Sequence, residues 1–246
     1  MSSTPEIIVN QPDLLARHLT QRIERDVAAR NRFSLGLPGG SVAGSFLPVL
    51  AQAEVDRSRF HVFWVDERAG PPDGPDSNYR LAQSLGFLEL IDATQVHRMP
   101  ANEEDLERAA RRYEEELVRE LGMPPQLDLV LLGVGTDGHV ASLFPGRPLL
   151  GETRRWVAAV EDSPKPPPRR LTVTLPLIMA ARSVVVAAFG AEKGEVVAEA
   201  LRDPESRLPL ALALNGSRGT LMLLDPACAE AAGIKPAGTG EQMQGS

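Results

Sequence analysis

The sequence predicts an α/β fold in a single domain, with a mostly parallel sheet flanked by helices on both faces. Three observations predict it. Short apolar runs alternate with longer segments of helical period along the 246 residues. The run at 127–134, LDLVLLGV, is apolar almost throughout, as a strand covered on both faces must be. No repeat, composition break or linker divides the chain. We therefore expect one domain over 1–233 and a flexible C-terminal tail over 234–246.

The elements follow in order. EIIV at 6–9 is a short first strand. Gln11-Pro12-Asp13 opens a helix whose Leu15, Leu19, Ile23 and Val27 recur every four residues. A second strand at 33–37 ends in Pro38-Gly39-Gly40-Ser41, and a helix runs over about 42–53. The third strand, at 60–65, delivers Asp66-Glu67-Arg68. A proline- and glycine-rich loop, 69–79, precedes a helix capped by Ser77 or Asn78 and running to about Leu85. A short edge strand is expected at 95–99. In the helix at 103–121, Leu106, Ala109, Ala110, Tyr113, Leu117 and Leu121 face inward, and the charged face is solvated. After the central run come an extended piece at 156–160, an exposed rigid Pro166–Pro168 segment and a strand at 170–175. A short helix at 176–181 and a strand at 184–189 follow, then a helix opened by Gly190-Ala191-Glu192-Lys193. A strand at 219–224 and a helix at 226–232 close the pattern.

Composition removes several classes of function. The net charge of −7 and pI near 5.2 argue against a nucleic-acid partner, which needs a basic face. A phosphorylated small molecule is still admissible, since a few local arginines suffice to hold it. Cys228 is the single cysteine, so an internal disulfide and a cysteine-based zinc site are both excluded. No apolar segment is long enough to span a membrane, and the first residues lack a basic start and an apolar signal core. These features suit a soluble cytoplasmic protein with a small-molecule partner and no nucleic acid or membrane.

The chemistry gathers behind the central strand. Gly133, Gly135 and Gly138 punctuate a loop that carries Asp137 and His139. Ligands of open α/β sheets bind at the carboxyl ends of strands, which is where this pair falls. A carboxylate beside an imidazole orients the ring and supports a general base near neutral pH. With no second histidine or carboxylate cluster at ligand spacing around the pair, no metal is expected there. His18, His61 and His97 lie within a helix or at strands and read as structural. Gly39, Gly40 and Ser41 stand at a strand-to-helix turn, which reads equally as a structural turn and as an anion site, since free N–H groups point outward there. Arg68 ends the neighbouring strand, where it can either pair with Asp66 or Glu67 or clamp a phosphate. Arg170 and Lys193 add positive charge where one strand begins and another ends, and each taken alone reads as a surface residue. Neither Ser41 nor Ser142 sits in a G-x-S-x-G elbow, which argues against a serine nucleophile.

Taken in order, FWVDER, PDSNY, GVGTDGHVASLFPG, RRLTVTLP and GAEK resemble the 6-phosphogluconolactonase family over about 33–225. The resemblance implies hydrolysis of 6-phosphoglucono-δ-lactone to 6-phosphogluconate in the oxidative pentose phosphate pathway, with no metal or organic cofactor. It also implies a Rossmann-like fold shared with glucosamine-6-phosphate deaminase. Carried over by motif, His139 matches the catalytic histidine and Asp137 the acid two residues before it. Gly39, Gly40 and Ser41 match the phosphate turn, and Arg68 the phosphate-contacting arginine. Ser77 and Asn78 match the substrate-side SN pair, and Arg170 and Lys193 the later basic residues. Pro38, Val140 and Ala69-Gly70 depart from the usual pattern, at positions peripheral to the chemistry.

The expected mechanism is direct attack by water, activated by neutral His139, with Asp137 holding the ring. Because Asp137 favours the imidazolium, the acid limb of activity is expected at or above pH 6.5, the unperturbed histidine value. One rival is an amino-sugar-phosphate isomerase or deaminase. Those relatives follow the D-G-H core with Phe-Asn, where this chain has Ser142-Leu143, and carry Tyr at the position of Arg68. The other rival is a non-catalytic sugar-phosphate-binding module. It has no need of Asp137 and His139 together.

Overall fold

The computed structural model describes residues 4–235. The elements in chain order are β1 (Glu6–Val9), α1 (Pro12–Ala28), β2 (Phe33–Leu37), α2 (Gly40–Ala51), β3 (Phe60–Trp64), β4 (Asp66–Arg68), α3 (Asn78–Ser84), β5 (Val96–His97), α4 (Leu106–Leu121) and β6 (Leu129–Gly133). They continue with β7 (Val157–Val160), β8 (Arg170–Val173), α5 (Leu175–Ala180), β9 (Ser183–Ala188), α6 (Gly194–Arg202), α7 (Pro209–Gly216), β10 (Thr220–Leu224) and α8 (Pro226–Ala231). Seven strands form one sheet in the order β1-β10-β9-β6-β2-β3-β5, and every pairing in it is parallel.

The apolar strands are buried because helices cover both faces. Leu35, Leu37 and Leu131 meet Leu19 and Ile23 of α1 and Phe46, Leu47 and Leu50 of α2. The other face lies under α4, whose Tyr113 hydroxyl accepts from the Trp64 N–H at 2.9 Å and donates to the His97 carbonyl at 3.0 Å. Burying a Val or Leu side chain stabilises the fold by roughly 1.5–3 kcal/mol, so this two-sided packing is the main source of cohesion. The α1 stripe Leu15, Leu19, Ile23 and Val27 is fully buried, as its spacing requires.

The strand order fixes where a ligand can sit. From β2 the chain runs outward to β3 and β5. It then returns to β6, beside β2, and runs the other way through β9 and β10. Connections therefore diverge between β2 and β6, and the carboxyl ends of these strands leave a crevice between them.

Two features were not anticipated. A second sheet, β4-β8-β7, is antiparallel and sits over those carboxyl ends. Its β4 is the three-residue DER segment, too short to show an alternation. The second is α7, PLALALNG, whose Leu210, Ala211, Ala213 and Leu214 are buried. A helix apolar on most sides carries no amphipathic period to read. At the C-terminus the Ile234 N–H donates to the Ala229 carbonyl at 2.8 Å, and the proposed tail from 236 onward lies outside the described residues.

Candidate active site

The crevice is lined by Pro38, Gly39, Gly40, Ser41 and Val42 after β2, and by Asp66 and Arg68 of β4. Gly133, Val134, Gly135, His139 and Ala141 after β6, with Arg170 and Lys193, complete it. Segments more than 90 residues apart in sequence thus meet at one point because parallel strands all deliver their loops to the same edge.

The loop after β6 is shaped around its histidine. His139 Nδ1 lies 2.5 Å from Asp137 Oδ1, and the imidazole packs 4.7 Å from the Phe144 ring, centroid to centroid. A Cβ at Gly135 would fall 2.0 Å from His139 Nδ1, so only glycine lets the backbone pass beneath the ring. The Gly135 N–H donates to the His139 carbonyl, closing the loop on itself, and α7 braces it from outside through Leu210 N–H to the Gly138 carbonyl. Ala141 holds a φ of +50°, a conformation costly for a side chain and often met at functional sites.

Lys165, from the SPKPPPR segment, enters this pair from the side. Its Nζ lies 3.2 Å from Asp137 Oδ1 and 3.4 Å from His139 Nδ1. Burial of the imidazole is the largest influence on its pKa and lowers it. Asp137 pulls the other way, Lys165 pushes it down again, and the net direction is below 6.5. The expected upward displacement by Asp137 is therefore corrected: burial outweighs the carboxylate. Asp137 is itself raised by burial, but the hydrogen bond and charge of His139, with Lys165, hold it below the usual carboxylate value.

The arginines divide the work. Arg68 donates from Nη1 to the Asp76 carbonyl at 3.0 Å, while its Nε is buried with no hydrogen-bond partner in the protein. Arg170 is 4% exposed and stacks 5.6 Å over Phe144. It donates to the Lys165, Pro166 and Pro167 carbonyls and to Ser142 Oγ. Most of its donors are thus spent fastening the proline-rich segment that carries Lys165. Lys193 reaches the crevice from the turn after β9, just before α6.

Ser77 and Asn78 stand behind the crevice wall and do not line it. Ser77 caps α3 and donates to Glu67 Oε2. Glu67 also accepts the N–H groups of Arg68, Asn78 and Tyr79. Burial raises the Glu67 pKa, with those hydrogen bonds opposing it. Asn78 donates to the Asp66 carbonyl at 2.9 Å, and its amide lies where a Cβ on Gly39 would stand, 1.8 Å from Oδ1. The SN pair therefore sets the positions of Gly39 and of Asp66–Arg68 from behind.

Sequence reading missed Asp66, Ser142 and Lys165 as members of the site. Asp66 Oδ2 accepts from Ser142 Oγ at 2.7 Å, joining the DER strand to the histidine loop. That hydroxyl is buried and committed, consistent with the rejection of a serine nucleophile. Lys165 gave no signal of its own, because its segment reads as an exposed rigid spacer.

Comparison with known proteins identifies the family. A family described as glucosamine-6-phosphate isomerases/6-phosphogluconolactonase matches residues 11–223. The chain is 41% identical to a 6-phosphogluconolactonase of Mycobacterium tuberculosis, over 92% of this chain and 96% of that one. It is 39% identical to a probable chloroplastic 6-phosphogluconolactonase of Oryza sativa subsp. indica over 78% of its length, spanning 63% of that longer relative. The solved 6-phosphogluconolactonase of Trypanosoma cruzi superposes with a TM-score of 0.84 at 30% identity, covering 94% of this chain and 97% of that one. The chain belongs to the glucosamine-6-phosphate isomerase/6-phosphogluconolactonase family.

Proposed function

We propose that this chain hydrolyses 6-phosphoglucono-δ-lactone to 6-phosphogluconate, a step of the oxidative pentose phosphate pathway. The observation that carries the reading is the Asp137–His139 pair opening on the same crevice as the β2 turn and Arg68. The family relatives named as lactonases support the substrate.

The 6-phosphate docks on Gly39, Gly40, Ser41 and the amino end of α2, where backbone N–H groups lack helical partners. Arg68 and Lys193 supply the countercharge. Arg170 contributes by holding the proline-rich segment in place, and Ser77 and Asn78 by fixing the turn and the DER strand. Phosphate binding far from C1 places the lactone carbonyl over His139, so the binding energy is used for positioning.

With Nδ1–H held by Asp137, neutral His139 carries its lone pair on Nε2. Water attacks C1 as its proton passes to Nε2, forming the tetrahedral intermediate. The C1–ring oxygen bond then breaks, and the proton on His139 passes to the departing oxygen, which becomes the C5 hydroxyl. The new carboxylic acid ionises to the product carboxylate. Burial, with the Lys165 charge added to it, favours the neutral resting imidazole. The reaction needs neither metal nor organic cofactor.

A doubly charged sugar phosphate does not cross a bilayer unaided, which supports a cytoplasmic enzyme meeting its substrate where it is made. No described helix is long and apolar enough to cross a membrane. The direct test is a lactonase assay on the purified chain, with an enzyme-free blank because lactones hydrolyse spontaneously. Turnover of 6-phosphogluconolactone far above the blank is expected. Equal turnover of the unphosphorylated lactone would refute the phosphate assignment.

A further inference from the structure

A second histidine–carboxylate group lies away from the crevice, under α4 at the edge of the large sheet. The register Phe63↔His97 puts His61, two residues before Phe63, on the same face as His97. Glu116 and Glu120, one turn apart on α4, face them from above. His61 Nδ1 stands 3.1 Å from His97 Nε2, with the two rings nearly parallel. The Glu120 carboxylate lies within 4.8 Å of a ring nitrogen of each histidine. Glu116 Oε1 is 2.8 Å from His97 Nδ1. Arg32 Nη2 sits 2.9 Å from His61 Nδ1 and 2.8 Å from Glu120 Oε2. Arg119 pairs with both carboxylates from the outer side.

The hydrogen bonds of this group close when His97 is protonated on both nitrogens, with Nδ1–H donating to Glu116 and Nε2–H to His61 Nδ1, which also accepts from Arg32. An ionised Glu116 only accepts, so His97 carries a proton on Nδ1, and a neutral His97 then bears its lone pair on Nε2. Arg32 only donates, so His61 presents a lone pair at Nδ1. Two lone pairs then oppose each other at 3.1 Å across a largely buried contact, His97 being 4% exposed. A metal ion that takes the place of the Nε2 proton would meet both of these lone pairs.

We propose that His61, His97 and Glu120 form a binding site for a divalent transition metal of the zinc and cobalt class. Two ligands at 2.0–2.1 Å from a tetrahedral ion stand about 3.3 Å apart, close to the observed ring-nitrogen separation. Two imidazoles and one carboxylate suit zinc, cobalt or nickel and suit magnesium or calcium poorly. Glu116 acts on His97 as an outer-shell carboxylate that fixes the tautomer and turns Nε2 toward the ion. Arg32, whose side chain is 38% exposed, swings outward as the ion enters and takes its place beside Glu120. Water fills the remaining position. The ion ties β3, β5 and α4 together, so its effect is on stability and leaves the lactone chemistry alone. The site does not depend on the lactonase reading.

The test uses the full chain after chelator treatment and dialysis. Cobalt(II) should give the visible absorption of a four-coordinate ion, saturating at one ion per chain, and zinc should raise Tm. His61→Ala and Glu120→Gln should each weaken cobalt binding at least tenfold, and Glu116→Gln by about 10–100-fold. His139→Ala should bind as the parent does. Absence of both the cobalt signal and the Tm rise in the parent overturns the site. So does a signal lost in His139→Ala but kept in His61→Ala, which would move the ion to the crevice. If His61→Ala does not fold, Glu120→Gln, on the outer part of the group, decides alone.

Discussion

The chain builds two histidine–carboxylate groups, and they differ in what surrounds the ring. His139 sits on a glycine-punctuated loop at a strand end, its partner Asp137 two residues away in sequence. His61 and His97 sit within strands, and their carboxylates arrive from a helix across the sheet. The first ring lines the crevice at the strand ends. The second packs against Phe63 and under α4, away from the crevice. Burial and neighbours, not residue type, decide which histidine is placed for catalysis.

The comparison is tested most severely by removing each ring in turn. His139→Ala should lose about 10²–10⁴-fold in kcat, the usual contribution of a general base, and still bind 6-phosphogluconate. His61→Ala should keep parental kcat per folded molecule. If the two losses are equal, the division of labour fails and another base must serve the crevice.

Arg68→Ala comes next in size. A charge-assisted hydrogen bond to phosphate contributes about 1.5–3 kcal/mol, which is roughly 10–150-fold. The loss should fall mainly on KM. An unchanged KM would show that the phosphate sits elsewhere, and Lys193 would be the next residue to remove.

The two groups also differ in how visibly the sequence announces them. Asp137 and His139 are legible because glycines, carboxylate and imidazole fall within one short loop after an apolar run. The phosphate turn and Arg68 are legible for the same reason: each is local to a strand end. Lys165 is not, since only the fastening of the SPKPPPR segment by Arg170 brings its ammonium to the pair. The roles of Ser77 and Asn78 behind the crevice are equally invisible, because they depend on how α3 packs against Gly39. The parallel sheet follows from the alternation of strands and helices, whereas β4 is too short and α7 too uniformly apolar to leave a pattern. The edge histidines needed the β3–β5 register and the face α4 covers, which only the folded chain supplies.

A smaller effect sharpens the account of His139 itself. Its ring must be neutral to take a proton, so kcat/KM should fall as pH drops through its pKa. Burial, reinforced by Lys165, puts that value below 6.5 against the pull of Asp137. The acid limb should therefore lie below pH 6.5 in the parent. Lys165→Met removes a positive charge near the ring, and the limb should move upward. A limb that stays in place would show that the ammonium does not tune the base.

The smallest expected effect links the two regions. Exhaustive chelation should leave kcat and KM at their starting values, because the crevice chemistry uses water, an imidazole and a carboxylate. The same treatment should lower Tm when the chain carries an ion at the edge site, since whatever binds only the folded state stabilises it by mass action. Added zinc should restore Tm without changing turnover. A ligand that held β3, β5 and α4 together and also shaped the crevice would move both readouts. Loss of turnover on chelation, recovered with zinc, would place a metal in the reaction and replace the water-and-histidine mechanism with a metal-assisted one. Fixed kinetics beside a moving Tm would instead establish that the two histidine groups, although parts of one sheet, act independently.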